Sequence, residues 1–299
     1  MQGRAPRRYL IDRLFPHSGV HLIGGPSGAG KTRWLFQTLI DQWEKGQDVL
    51  GFKSHPCPWL YVSGDRILDD AYETLEDLGY NPDRIRMLGA VDEGITNIEG
   101  ILHESDALKP RPQLLVIEGI ASLAPAKCDI NNYKHVSAFL STLVRMCKKA
   151  DVGLWGVCHS PKMKEDSQYL NPRQRIMGSA AWAAYSGTVV MVEPLGYGTE
   201  VDHQRKLIVL PRRGAGIYMN LQFNADGRLV EAEGNLNDAL FEAFLHKYRS
   251  GETFKTADVL AALESRMSRY TVQRILDAAI SGGYVERIGQ GTYRIRPIS

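Results

Sequence analysis

Short apolar runs alternate with stretches of helical periodicity from Gly19 to about Phe223. The runs Val20–Ile23, Trp59–Val62, Leu114–Ile117, Gly153–Val157, Thr188–Val192, Leu207–Leu210 and Tyr218–Phe223 predict strands. The early ones are apolar at nearly every position, as in strands covered on both faces of a parallel sheet. Between them, Val136, Phe139, Leu140, Leu143 and Cys147 recur at the spacing of one helical face. Such alternation predicts an α/β fold, a mainly parallel sheet flanked by helices, with the closely spaced last strands added antiparallel at one edge. Residues 119–132 and 159–178 show no convincing periodicity and are expected to be loops.

After Gly234 the pattern changes. Leu240, Phe244, Leu245 and Tyr248 suit one helix, and Thr256–Leu263 and Ser268–Ile280 suit two more. Strands Tyr284–Ile288 and Tyr293–Ile295 follow, joined by Gly289-Gln290-Gly291. Three helices and a hairpin predict the winged variant of helix-turn-helix, so the chain divides into residues 1–234 and 235–299. Arg269 and Arg274 stand near the start of the third helix, where such a module contacts DNA; contact with protein is the other use of the same module. A length of 299 residues suits one large core with an appendage.

Composition narrows the class. With 43% hydrophobic and 23% charged residues the chain is that of a globular protein rather than a disordered one. No apolar run approaches the ~20 residues that span a bilayer, and the basic start (Arg4, Arg7, Arg8) lacks the apolar core of a signal peptide, so a cytoplasmic protein without a membrane partner is expected. Formal charge is +2. From Leu240 onward nine Lys/Arg face six Asp/Glu, an excess that permits nucleic-acid contact without requiring it. Cys57, Cys128, Cys147 and Cys158 have no C-x-x-C spacing and read as reduced thiols; neither His55 with Cys57 nor Cys158 with His159 has the second half of a zinc site.

The strongest chemical signal is Gly25-Pro26-Ser27-Gly28-Ala29-Gly30-Lys31-Thr32, which matches G-x-x-x-x-G-K-[ST] between a strand and a helix. Glycines let successive amide groups turn inward around a phosphate, and the helix N-terminus adds positive potential there. Lys31 supplies charge to the β- and γ-phosphates, and the Thr32 hydroxyl suits Mg²⁺. Leu114-Leu115-Val116-Ile117-Glu118 ends a buried strand on an acid, which makes Glu118 the expected Mg²⁺ partner beside Thr32. Tyr61-Val62-Ser63-Gly64-Asp65 places a second acid beyond the second strand, either a base for the attacking water or a loop cap.

At these residues the sequence resembles the RecA-type ATPases, in particular the compact hexameric helicases typified by plasmid RepA and related to the DnaB motor. The resemblance covers roughly residues 10–225. It implies ATP with Mg²⁺, a homo-oligomeric ring (a hexamer), single-stranded DNA and a replication partner protein. It makes Asp65 the catalytic base where that family has Glu, and Glu118 the metal partner where Asp is usual. His159, after Cys158, falls where the family has a sensor of the γ-phosphate; a satisfied histidine at a strand end is the alternative. The loop Pro161–Gly178 occupies the place of the central-channel loop, so Lys162, Lys164, Arg173 and Arg175, with Tyr169, would track DNA rather than form a charged surface. Arg212 or Arg213, after Leu210-Pro211, would be the finger reaching a neighbour's ATP, against a plain surface pair. Three functions follow in order: a nucleic-acid-stimulated helicase or translocase; a regulatory or loading ATPase; and a small-molecule kinase, for which the winged helix has no evident use.

Overall fold

A short antiparallel ribbon, β1 (Tyr9–Ile11) and β2 (Phe15–Pro16), leads into β3 (Gly19–Gly24), the strand on which the rest of the sheet is organised. The structure, a computed structural model, describes residues 7–160, 176, 179–194, 204–213, 216–232, 252–262, 272, 273, 276, 280 and 285–295. Further strands are β4 (Trp59–Ser63), β5 (Met87–Gly89), β6 (Leu114–Glu118), β7 (Gly153–Val157), β8 (Thr188–Pro194), β9 (Gln204–Pro211), β10 (Ile217–Phe223) and β11 (Leu229–Glu231). They form a nine-stranded sheet in the order β11-β10-β9-β8-β3-β7-β6-β4-β5. Every pairing from β8 to β5 is parallel, whereas β8 and β9 are antiparallel. All seven strands expected from the apolar runs are present, several of them a residue or two longer. The three-residue β5 and β11 are too brief to leave a pattern.

Burial explains the sequence of the central strands. All five residues of β4, β6 and β7 are buried, since helices cover both faces. The helices in this part are α1 (Lys31–Gln37), α2 (Asp69–Asp77), α3 (Ile98–Ala107), α4 (Tyr133–Ala150) and α5 (Ala181–Tyr185). Helix α4 buries Val136, Phe139, Leu140, Leu143 and Cys147, the face read from spacing. Its first turn is capped by Asn132, whose side-chain oxygen accepts from the backbone N–H of Lys134 and His135. Asp151 closes the other end in the left-handed conformation. Residues 119–132, expected to be irregular, contain a 3₁₀ turn at Ile120–Leu123 that packs Ile120 and Leu123 inward.

One helix changes its winding part-way along. Beyond Gln37, α1 continues as a π-helix over Thr38–Trp43. The wider turn shifts the phase, so Thr38 goes inside and Ile40 is only half-buried. Trp43 becomes fully buried, its indole N–H donating to the Leu10 carbonyl at 3.3 Å.

His21, fully buried in β3, accounts for a polar letter inside an apolar run. Its Nε2 pairs with the Pro16 carbonyl at 2.9 Å, and burial is the main reason its pKa falls to about 4. Folding therefore requires the neutral ring. Because the unfolded ring binds a proton near pH 6.5, stability is complete above that value and declines as pH falls towards 4, by about 3 kcal/mol. Denaturant midpoints across this interval should show that loss, and His21→Gln should remove most of its slope.

The chain forms two compact units, Met1–Arg213 with Leu221–Val230, and Gly214–Asn220 with Glu231–Ser299. In the second, β12 (Thr253–Lys255), α6 (Thr256–Ala262), β13 (Val285–Gly289) and β14 (Thr292–Ile295) are described. The three strands form an antiparallel sheet in the order β12-β14-β13. Phe254, Val259, Val272, Leu276, Val285, Tyr293 and Ile295 make its core, with Phe254 stacked on Tyr293. Strand β12 had no signal in the sequence. Arg269 and Arg274 lie outside the described residues.

Candidate active site

Four segments far apart in the chain end at one level of the sheet. Strand register aligns Ile23 with Val157, Val157 with Glu118, and Glu118 with Ser63. The loop after β3, His159 after β7, Glu118 at the tip of β6 and Asp65 after β4 therefore converge at the carboxyl ends of neighbouring parallel strands. Open α/β sheets bind ligands there because the loops diverge and helix N-termini point inward.

Gly25 to Thr32 wrap the start of α1. Gly30 caps the helix at φ 93°, a left-handed conformation that a side chain would strain, and a Cβ there would also stand 2.9 Å from the Phe223 ring. Lys31 is buried, and its Nζ donates to the carbonyls of Gly25 at 3.0 Å and Pro26 at 2.9 Å. Burial pulls its pKa down, while the Glu118 charge opposes that shift. The Gly25 carbonyl also accepts from the backbone N–H of Ser160, which ties the end of β7 to the same loop.

Glu118 is the best-anchored group in the site. Thr32 Oγ1 donates to its Oε1 at 2.9 Å and lies 3.1 Å from Oε2, and the Tyr61 hydroxyl donates to Oε2 at 2.5 Å. Tyr61 is buried, and desolvation, reinforced by the Glu118 charge, pushes its phenol well above the ordinary range. The phenol is therefore a permanent donor. It fixes a side chain one methylene longer than aspartate, a role the sequence reading did not assign. Thr32 and Glu118 present hard oxygens to one point, as Mg²⁺ requires. Among the described residues no group of three or more His, Cys, Asp or Glu could hold a metal.

Asp65 is exposed beside this pair. The Gly64 N–H donates to the Glu118 carbonyl at 2.9 Å, locking the two strand ends. Gly119, at φ 68°, makes room for the acid, since a Cβ there would stand 2.2 Å from Asp65 Cγ. His159 is half-buried with Nδ1 unpartnered in the structure, and burial, followed by the Lys31 charge, lowers its pKa. At neutral pH it is an uncharged ring facing the phosphate loop.

These residues border a cleft of about 340 Å³ lined by Ser27, Lys31, Thr32, Glu118 and His159, and also by Arg66 and Phe223. The last two carried no local signal. Phe223 was legible only as the end of a strand. It reaches the cleft because β10, the neighbour of β9 in the sheet, ends beside the phosphate loop, with the Phe223 ring against Gly30. Arg205, at the start of β9, lies over the Phe223 ring at 4.9 Å and donates to the Ala29 carbonyl at 3.1 Å.

Arg212 and Arg213 are not in the cleft. Strand β9 pairs Arg205 with Pro194 and Pro211 with Thr188, so it runs away from the phosphate loop. The Arg212 N–H donates to the Gly187 carbonyl, five residues below Val192 beside Gly25, a drop of roughly 17 Å along the strand. Both side chains are exposed. Lys162, Lys164, Arg173 and Arg175 lie outside the described residues. Cys57 and Cys128 are half-buried, Cys147 and Cys158 fully so, and all four are free thiols. Among the described residues no helix is long and apolar enough to cross a membrane.

Comparison with known proteins agrees with this geometry. A solved structure described as an ATPase domain is similar, with a TM-score of 0.51 at 13% identity, covering 73% of this chain and 86% of that one. So is a KaiC-like protein, PH0186, from Pyrococcus horikoshii OT3, with a TM-score of 0.51 at 14% identity, covering 76% of this chain and all of that one. At such identities the likeness is one of fold, and the fold is RecA-like. No curated protein matches the sequence. The AAA_25 family, described as an AAA domain, matches residues 1–165, which carry the phosphate loop, Asp65, Glu118 and His159. With more than half its length inside that match, the chain belongs to the AAA_25 family of AAA domains, a P-loop ATPase on a RecA-like core.

Proposed function

We propose that this ATPase works as a ring of identical subunits, stimulated by single-stranded DNA, as a replicative-type helicase or translocase. The observation that carries the reading is the division of the catalytic groups. Lys31, Thr32, Glu118 and His159 line one cleft, with Asp65 packed beside Gly119 next to it, whereas Arg212 and Arg213 stand at the far end of the sheet with nothing in their own cleft to act on. A second copy would supply what each cleft lacks. In this reading Lys31 and the loop amides hold the triphosphate, and Thr32 with Glu118 hold Mg²⁺. Bound there, Mg²⁺ neutralises phosphate charge. Asp65 accepts the proton of the water that attacks the γ-phosphorus, as ADP leaves with the bridging oxygen. His159 is the sensor, and Arg212 or Arg213 of the adjoining copy offsets the transition-state charge. The loop with Lys162, Lys164, Arg173 and Arg175 tracks DNA phosphates, and residues 235–299 act as a winged helix through Arg269 and Arg274.

A second reading, a regulatory or loading ATPase, is favoured by the short Asp65, which stands at the cleft without the reach of glutamate. Native mass measurement with and without ATP and single-stranded DNA, followed by strand displacement, separates the two. ATP-dependent rings that unwind support the motor. Assembly on DNA without unwinding supports the switch, and a monomer whose turnover ignores DNA overturns both.

Phe223 is proposed as the platform for the base, the one benzene ring lining the cleft among the described residues. Phe223→Ala should weaken ATP binding by about tenfold in a titration, the scale of one lost aromatic stack on a base. Unchanged affinity would place the base elsewhere.

A further inference from the structure

We propose that Arg66 reads the γ-phosphate from within its own subunit, so that the site prefers ATP to ADP and sustains turnover before a neighbour contributes. The inference rests on the nucleotide reading above.

Among the described residues four cationic side chains stand in or beside the cleft, and three are committed. Lys31 donates to the carbonyls of Gly25 and Pro26. Arg33 is paired with Asp77 at 2.5 Å and donates to the Gly227 carbonyl at 3.2 Å. Arg205 donates to the Ala29 carbonyl and covers Phe223. Arg66 has only a contact at 3.5 Å with Asp70, four residues on, and both side chains are about half exposed. Such a contact contributes little and is readily exchanged for a better acceptor.

Its base, by contrast, is fixed. Ser63 Oγ donates to the Arg66 carbonyl at 2.8 Å, setting the turn that follows β4. The guanidinium therefore has a rigid root and a loosely held tip. It lines the cleft with Lys31, Thr32, Glu118 and His159, one residue after Asp65. Its charge acts in the lowering direction on Lys31, Tyr61 and His159, three groups whose shifts are set mainly by burial.

ATP and ADP share the phosphates that the loop amides embrace and differ in the terminal one, which Lys31 meets as a point charge only. A guanidinium presents a planar fork matched to phosphate oxygens, which a lone ammonium does not. Exchange of Asp70 for a γ-phosphate oxygen would give Arg66 a doubly charged acceptor. The same fork, placed next to Asp65, would offset charge as the phosphoryl group transfers.

The test compares the full chain with Arg66→Ala, and with Arg66→Met, which keeps the aliphatic stem should the smaller residue disturb the turn. Calorimetric titration is run with ADP and with a non-hydrolysable ATP analogue, and turnover is measured at dilution without DNA. The expected result is unchanged ADP affinity, analogue affinity weaker by about tenfold, and basal turnover lower on the order of 100-fold. An unchanged ratio of the two affinities, or equal weakening of both, overturns the proposal. If the unaltered chain takes up neither nucleotide, the nucleotide reading itself fails, and that is visible before any variant is made.

Discussion

Lys31→Ala is expected to reduce ATP turnover on the order of 1,000-fold and to weaken nucleotide uptake in the same preparation. The lysine is the one ammonium in the cleft among the described residues, buried against the carbonyls of Gly25 and Pro26. Its replacement removes the charge that meets the β- and γ-phosphates and leaves two carbonyl oxygens without that donor. Loss of a single preorganised donor aimed at developing charge costs about 100- to 1,000-fold, and a full charge in a partly desolvated site lies at the upper end. Phosphate release and calorimetry on the same sample check both effects. A variant that still turns over at the parent rate would remove the loop around Lys31 from the chemistry. Thermal melting is the control, because Lys31 also anchors the loop to β7 through the shared Gly25 carbonyl.

The second large effect concerns Arg212 and Arg213 together. Changing both to alanine should lower turnover by roughly 1,000-fold or more while leaving nucleotide affinity nearly intact, since a finger acts on the transition state more than on bound ATP. Changing both sidesteps the question of which one reaches across. Their place at the far end of β9 predicts a more specific outcome. When subunits carrying Lys31→Ala are mixed with subunits carrying both arginine changes, some clefts combine an intact Lys31 with intact arginines from the adjoining copy, and turnover partly returns. Groups acting within one subunit could not complement in this way. Absence of recovery in mixed assemblies that native mass measurement shows to have formed would refute the cross-subunit arrangement. Both side chains are exposed, so neither change should disturb folding.

Much of the core was legible because its strands are buried on both faces. A strand such as Leu114–Glu118 has no solvent side, so four apolar letters followed by an acid mark both the strand and the place where it emerges. Helix α4 was legible for the complementary reason, being buried on one face only, and its apolar spacing named all five inward residues. The π-turn over Thr38–Trp43 was not. Its letters are compatible with an ordinary helix, and the phase shift follows from seating Trp43 under Leu10, a residue outside the segment. The short β5 and β11 escaped for want of length. His21 lay inside the expected strand Val20–Ile23, but its burial and its bond to the Pro16 carbonyl were not legible there.

In the cleft the division follows the same logic. Gly25 to Thr32, Glu118, Asp65 and His159 stand in local patterns whose chemistry is written in adjacent letters, and each lies where a strand ends. Tyr61, Arg66, Arg205 and Phe223 stand in no motif. Tyr61 matters because β4 lies beside β6 and brings a phenol to Glu118. Phe223 and Arg205 matter because β10 ends, and β9 begins, beside the phosphate loop.

By itself, then, the order of residues determined an alternating α/β core and a phosphate-gripping loop, because periodicity and backbone conformation are local properties of the chain. Tertiary structure alone decided which side chains support that loop, which guanidinium remains uncommitted beside it, and that Arg212 and Arg213 face away from it. Those are matters of strand order and direction, and they depend on pairings between separate segments, 57 residues apart for Tyr61 and Glu118 and 176 for Arg205 and Ala29, which no local pattern encodes.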